Sequence, residues 1–119
     1  MRFTFIQPVS FAAEWKRLGL TDTDLQALET VIMEDPEVGD VVRGTGGMRK
    51  MRFPPPSWNR GKSGATRVCY VAFAKVAECY LTMIFPKNEK ANLAAAEAAA
   101  WRNWITRKRK ETENENQNS

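Results

Sequence analysis

Two segments near the middle of the chain, TRVCYVAF (residues 66–73) and CYLTMIF (residues 79–85), are rich in β-branched and aromatic residues, with AKVAE between them. Such side chains fit a pleated surface, and so short a link predicts an antiparallel hairpin. The rest of the chain is read around that hairpin. At 119 residues there is room for one domain with one core, since domains run to about 100–150 residues.

MRKMRF (residues 48–53) adds a strand before the hairpin, separated from it by the Pro- and Gly-rich loop PPPSWNRGKSGA. RFTFIQ (residues 2–7) alternates aromatic and polar positions before Pro8 and suits a first strand. Ser10 is placed to cap a helix with Phe11, Trp15 and Leu18 on one face, and Gly19 to end it. Thr21 or Thr23 opens a second helix, with Leu25, Leu28, Val31 and Ile32 at helical spacing and Asp35 before Pro36 as its stop. PEVGDVVRGTGG is turn-rich and reads as a connecting loop. Asn92 is placed to cap a last helix through the alanine-rich run to about Arg107, its Trp101 and Trp104 packing on the body. The order predicts a small α+β domain over residues 1–106, an antiparallel-rich sheet with two N-terminal helices on one face and a C-terminal helix. Helices mainly on one side leave the other face to solvent or a ligand. Residues 107–119, basic and then polar, read as a disordered tail.

No stretch resembles a signal peptide or reaches the roughly 18 apolar residues of a membrane span, so the expectation is a cytoplasmic protein. Cys69 and Cys79 are too few for a disulfide framework and lack a metal-site spacing; both read as reduced residues in or near the sheet.

The charge is unevenly distributed. Residues 1–40 hold three basic and eight acidic residues, whereas residues 41–77 hold eight basic residues and no acid. Cations gathered without counter-ions repel, and a polyanion is the usual partner that relieves them. Strand alternation puts Lys50 and Arg52 on one face, with Arg49, Met51 and Phe53 on the other, the core side. Arg49 reads as a strand-end charge. Arg67 opens the next strand beside the loop carrying Arg60 and Lys62, and Lys87 and Lys90 follow the last strand, so these cations are expected around one concavity.

The chain has no histidine, which excludes Ser/His and Cys/His nucleophile mechanisms and the usual zinc ligand. GTGGMRK matches neither the P-loop nor the dinucleotide spacing. Asp35, Glu37 and Asp40 flank the basic segment and read as loop and helix-end charges, not a metal nuclease site. No metal or cofactor is implied. A Lys/Arg cluster can still cleave RNA by its own 2′-hydroxyl: arginine binds the phosphate bidentately, and a lysine among cations exchanges a proton nearer neutrality.

GDVVRGTGGMRKMRF, the basic Gly-rich loop, TRVCYVAF and YLTMIFPKNEKANLAAAE together resemble the RelE/HigB superfamily of bacterial toxins, most closely its HigB-like branch. The similarity runs from about Phe3 to Trp104 and is densest over residues 38–97. It implies a microbial-RNase-like α+β fold and an mRNA interferase that cuts mRNA on the translating 70S ribosome. It also implies a cognate antitoxin, usually a HigA-like helix-turn-helix protein, through which alone operator DNA is engaged. On this resemblance Lys50, Arg52, Arg67 and Lys87 are the catalytic candidates, and Arg49, Arg60, Lys62 and Lys90 the RNA-binding ones. Relatives carry an arginine and a tyrosine where this chain has Asn88 and Ala94, so the tyrosine's role does not carry over; Trp58, in the basic loop, is a candidate to stack on a base. The same charge pattern also suits a non-catalytic RNA- or ribosome-binding domain, or a basic module for an acidic protein.

Overall fold

The computed structural model describes residues 2–58, 65–89 and 93–118, with side chains as far as Glu113. Eight main elements follow in order: β1 (Thr4–Ile6), α1 (Val9–Arg17), α2 (Asp22–Glu34), β2 (Asp40–Val41), β3 (Arg49–Phe53), β4 (Thr66–Phe73), β5 (Glu78–Pro86) and α3 (Ala95–Asn118). Short 3-10 turns occupy Pro56–Trp58 and Ala74–Val76. The strands form one sheet in the order β1-β5-β4-β3-β2, antiparallel except where β1 runs parallel to β5.

The hairpin of β4 and β5 forms the middle of this sheet, turned by Ala74–Val76 and Ala77, whose φ is 53°. α2 starts as its sequence suggests: the Thr21 hydroxyl accepts from Asp24 N–H and the Asp24 carboxylate from Thr21 N–H, a reciprocal capping box. α1 differs. It starts at Val9 with Pro8 at the cap and no side-chain bond there, and Ser10 lies inside the helix. Proline suits a helix start because it has no N–H to leave unpaired. The turn-rich segment after α2 contains an element its composition hid, the two-residue strand β2, paired Asp40 to Lys50 and Val41 to Arg49.

Both faces of the sheet are covered, not mainly one. Phe11, Trp15, Leu28 and Ile32 of α1 and α2 pack with Met51, Phe53, Val68, Tyr70 and Leu81 on one face. On the other, Ile105, Trp101 and Trp104 of α3 pack with Met48, Cys69, Val71, Phe73 and Phe85. A strand buried on both sides cannot show polar alternation, which is why TRVCYVAF has no decisively apolar face. An irregularity helps: Cys69 pairs with Met83 but Tyr70 with Leu81, so Thr82 is the extra residue and the facing of β5 is reversed beyond it.

α3 also runs past Arg107, to Asn118. Its later turns dock on the body although they lack an apolar stripe. The Lys108 ammonium lies 5.4 Å from the Tyr80 ring centre and 3.7 Å from a Glu78 carboxylate oxygen, and Thr112 is buried. Packing of one charged stem and one buried threonine, whose hydroxyl is satisfied by the Arg109 carbonyl of the same helix, thus accompanies a helix that composition alone would end. No helix among the described residues is long and apolar enough to cross a membrane. Cys69 and Cys79 are buried free thiols.

Candidate functional site

Phe53 at the end of β3 pairs with Thr66 at the start of β4, and Thr66 with Pro86 at the end of β5. Three strands therefore finish or begin along one rim of the sheet. One residue in from that rim, Arg52 stands directly opposite Arg67, with Phe85 beyond it. Met51 and Phe53 are buried in the α1/α2 core, so the intervening Arg52 projects from the opposite face. Arg52, Arg67 and Lys87 then line one concavity of about 730 Å³, together with Leu18, Trp58, Ala65 and Pro86.

The electrostatics of this rim are unbalanced. Like charges directly opposite on neighbouring strands repel, by about 0.2–1 kcal/mol. Among the described residues no carboxylate forms an ion pair with Arg52, Arg67 or Lys87. Arg67 donates a long 3.4 Å bond to the carbonyl of Thr66. One acid does line the concavity, Glu89, but it accepts from Arg17 at 2.7 Å. The same guanidinium holds Glu14 through two bonds of 2.6 and 2.8 Å. Hydrogen bonding to Glu14 and then to Glu89 raises the pKa of Arg17, and the bond from Arg17 lowers that of Glu14. Glu89 is thereby held by α1 at the edge of the cationic groove.

The other candidates sort as follows. Lys50 is on the same face as Arg52, two residues and about 7 Å away along β3, in an adjoining groove with Arg43, Asp40, Leu93 and Ala98. Asp40 is its register partner on β2. Arg49 is not brought to the rim: it donates to the Gly39 carbonyl at 2.7 Å and lies 3.7 Å from Glu37, fastening the loop before β2. Glu37 and Asp40 therefore stand against the basic strand, a proximity that comes from strand pairing and that residues 41–77 alone do not reveal. Arg60, Lys62 and Lys90 lie outside the described residues. Asn88 lines the concavity and Ala94 does not.

Neither tyrosine of the chain reaches the groove. Tyr70 is buried, its hydroxyl donating to the Pro36 carbonyl at 2.8 Å and accepting from Gly39 N–H at 3.0 Å, while Tyr80 packs edge-on against Phe73 and Trp104. Trp58 is the aromatic residue that lines it. Its position is set by a residue the sequence reading did not single out. Asp24, fully buried at the start of α2, accepts from Ser57 N–H at 2.9 Å and from the Ser57 hydroxyl at 2.5 Å. That Thr21 or Thr23 opens the helix was legible, but the bond from Ser57 to this carboxylate spans 33 residues of the chain. Among the described residues no three side chains of metal-binding type converge. The site can bind a phosphate-sized anion at its cations and an apolar ring at Trp58.

No protein-family model matches the chain. Among solved structures it is similar to an arginine-to-alanine double mutant of the Escherichia coli toxin RelE in the free state, with a TM-score of 0.57 and 15% sequence identity over 86% of this chain and 98% of that one. The fold of this chain is RelE-like.

Proposed function

We propose that this chain is the toxin of a type II toxin–antitoxin pair, an endoribonuclease that cuts mRNA on the ribosome and is neutralised by a cognate antitoxin. The observation that carries the reading is the pairing of Arg52 against Arg67, with Lys87 beside them and no carboxylate partner among the described residues. The RelE-like fold supports it, as does a sequence resembling the HigB-like branch, for which a helix-turn-helix antitoxin is the expected partner. The site of action would be the cytoplasm.

The chemistry needs neither histidine nor metal. The 2′-oxygen attacks the adjacent phosphorus, the bond to the 5′-oxygen breaks, and a cyclic phosphate and a 5′-hydroxyl result. Negative charge grows on the non-bridging oxygens, and two guanidiniums facing one another across a strand pair suit them. Lys87 lines the groove with that pair, and Lys50 stands two residues from Arg52 on the same strand; these are the candidates to move the proton from the 2′-hydroxyl and to the 5′-oxygen. Removing one charge-stabilising donor from such a site typically costs about 10²–10³ in rate.

The test is primer extension on a defined mRNA incubated with purified protein, with and without translating ribosomes. Arg67→Ala and Lys87→Ala are the controls, each verified as folded by circular dichroism. New 5′ ends that require ribosomes and vanish in the variants are expected. Cleavage without ribosomes would make it a free ribonuclease. The placement of both tyrosines away from the groove favours a second reading, RNA binding without cleavage, which predicts intact RNA in both arms.

A further inference from the structure

We infer that the groove binds a nucleobase as well as a phosphate, with Trp58 as the stacking surface and Asp24 as the residue that positions it. The inference rests on RNA being the ligand of the cationic rim.

The concavity has two chemically distinct walls. Arg52, Arg67 and Lys87 form one, and Leu18, Trp58 and Pro86 another. An inorganic anion or an acidic peptide needs only the first. A nucleotide presents a charged phosphate and a flat apolar ring a few ångströms apart, and matches both. Trp58 is also held in a manner suited to a platform. It is half-buried, packed against the edge of the α1/α2 core, so one side is supported while the indole still lines the groove. The backbone N–H of Trp58 donates to the Pro55 carbonyl at 3.0 Å, and three successive prolines precede Ser57 and restrict the backbone.

The decisive contact is at Ser57. Capping α2 requires of the Asp24 carboxylate only its bond from Thr21 N–H. The carboxylate also takes both donors of Ser57, the residue before Trp58, and is fully removed from solvent in doing so. Placing a charge in the interior is costly unless hydrogen bonds compensate it. Here those bonds tie the loop entering the groove to a helix end, which fixes the ring at low conformational cost to binding. With Tyr70 and Tyr80 committed elsewhere, Trp58 is the aromatic side chain available for stacking among the described residues lining the groove.

The experiment is fluorescence anisotropy with a short RNA carrying 2′-O-methyl groups, which cannot attack their own phosphates. A series of the same oligonucleotide with one abasic site moved along it is titrated against wild type, Trp58→Ala, Trp58→Phe, Asp24→Asn and Arg67→Ala. Stacking on one base predicts that Trp58→Ala weakens binding by roughly 5- to 150-fold, and that Trp58→Phe keeps most of the affinity. One abasic position should cost wild type a similar factor and cost Trp58→Ala nothing further. Asp24→Asn should give a smaller loss that disappears in the Trp58→Ala background. Equal affinity of wild type and Trp58→Ala overturns the inference, as does a wild-type profile in which no single abasic position matters. If Arg67→Ala loses affinity while Trp58→Ala does not, RNA binding stands and the base platform falls. If wild type binds no better than Arg67→Ala, both readings fall.

Discussion

Asp24→Asn keeps the shape of a buried side chain and removes its charge and one acceptor. In the native protein Oδ1 accepts from Ser57 N–H at 2.9 Å, and Oδ2 accepts from Thr21 N–H at 2.9 Å and the Ser57 hydroxyl at 2.5 Å. An amide supplies one oxygen. Oriented to serve Thr21 and the hydroxyl, it aims its NH2 at Ser57 N–H, donor against donor, at a cost of about 1–3 kcal/mol. The two surviving bonds lose the charge that roughly doubles their strength, about another 1 kcal/mol. Ser57 is exposed, so water can reach its freed N–H, and the lower half of the range applies, about 2–3 kcal/mol in all. The domain still folds, since total stabilities are about 5–15 kcal/mol. The melting temperature should fall by about 10 °C, within a factor of two. Thermal unfolding followed by circular dichroism measures this, and its pH dependence tests the cause. Burial pushes the Asp24 carboxyl up, but the hydrogen bonds from Ser57 and Thr21 outweigh it and hold the pKa below its ordinary value. A depressed folded pKa gives stability that is full above the unfolded value of about 3.9 and is lost as the pH falls through the folded one. The gap between wild type and variant should therefore be widest at neutral pH and close as the pH falls through the folded-state pKa. A drop of under ~2 °C at neutral pH, or a gap that does not change with acid, would refute the reasoning.

Arg17→Ala releases Glu89 beside Lys87 and should weaken RNA binding several-fold; adding Glu89→Gln should restore it, which separates a freed charge from a damaged helix. Tyr70→Phe removes the hydroxyl joining Pro36 and Gly39, and chemical denaturation should show a loss of about 1–3 kcal/mol. Burial and then the nearby Glu29 charge push the Cys79 thiol up to about 12, so neither buried cysteine should react with a disulfide reagent at pH ~8 until the protein is unfolded. Three phosphate-contacting cations predict a slope of about −2 for log affinity against log salt on single-stranded RNA. Arg52→Ala should reduce its magnitude by about 0.7, and Arg49→Ala should leave it unchanged.

Local signals in the sequence were sufficient where an element depends on its own neighbours. A threonine at the start of α2, the stop at Asp35 and Pro36, and the strands on either side of Ala77 are all read from a few adjacent residues. Features set by distant partners were not legible. β2 has only two residues and exists because β3 pairs with it. α3 continues through a polar run because Lys108 meets Tyr80 and Glu78, 28 and 30 positions earlier. Alternation along MRKMRF did place Arg52 on the face opposite Met51 and Phe53, and the pairing of β3 with β4 then brought Arg67 to it. Strand alternation fixes direction, whereas register, which only the assembled sheet supplies, decides which residues meet.

Register also answers what neutralises the basic strand. Each of its three cations faces a different neighbour: Arg49 reaches Glu37, Lys50 stands opposite Asp40, and Arg52 stands opposite Arg67. The chain holds 14 acidic residues, so acids are not scarce, and the one that lines the concavity, Glu89, is occupied by Arg17. Within β3 the like-charged pairing thus falls at one end, where the strand pair meets a concavity open to solvent. A like-charged pair on a sheet face is a small cost to the fold, on the order of 0.2–1 kcal/mol. An arriving phosphate reverses its sign, because the two charges that repelled each other then share one anion. The same arrangement makes the site sensitive to any carboxylate presented at that rim, so a protein that blocks it needs only an acidic side chain placed where the phosphate would lie.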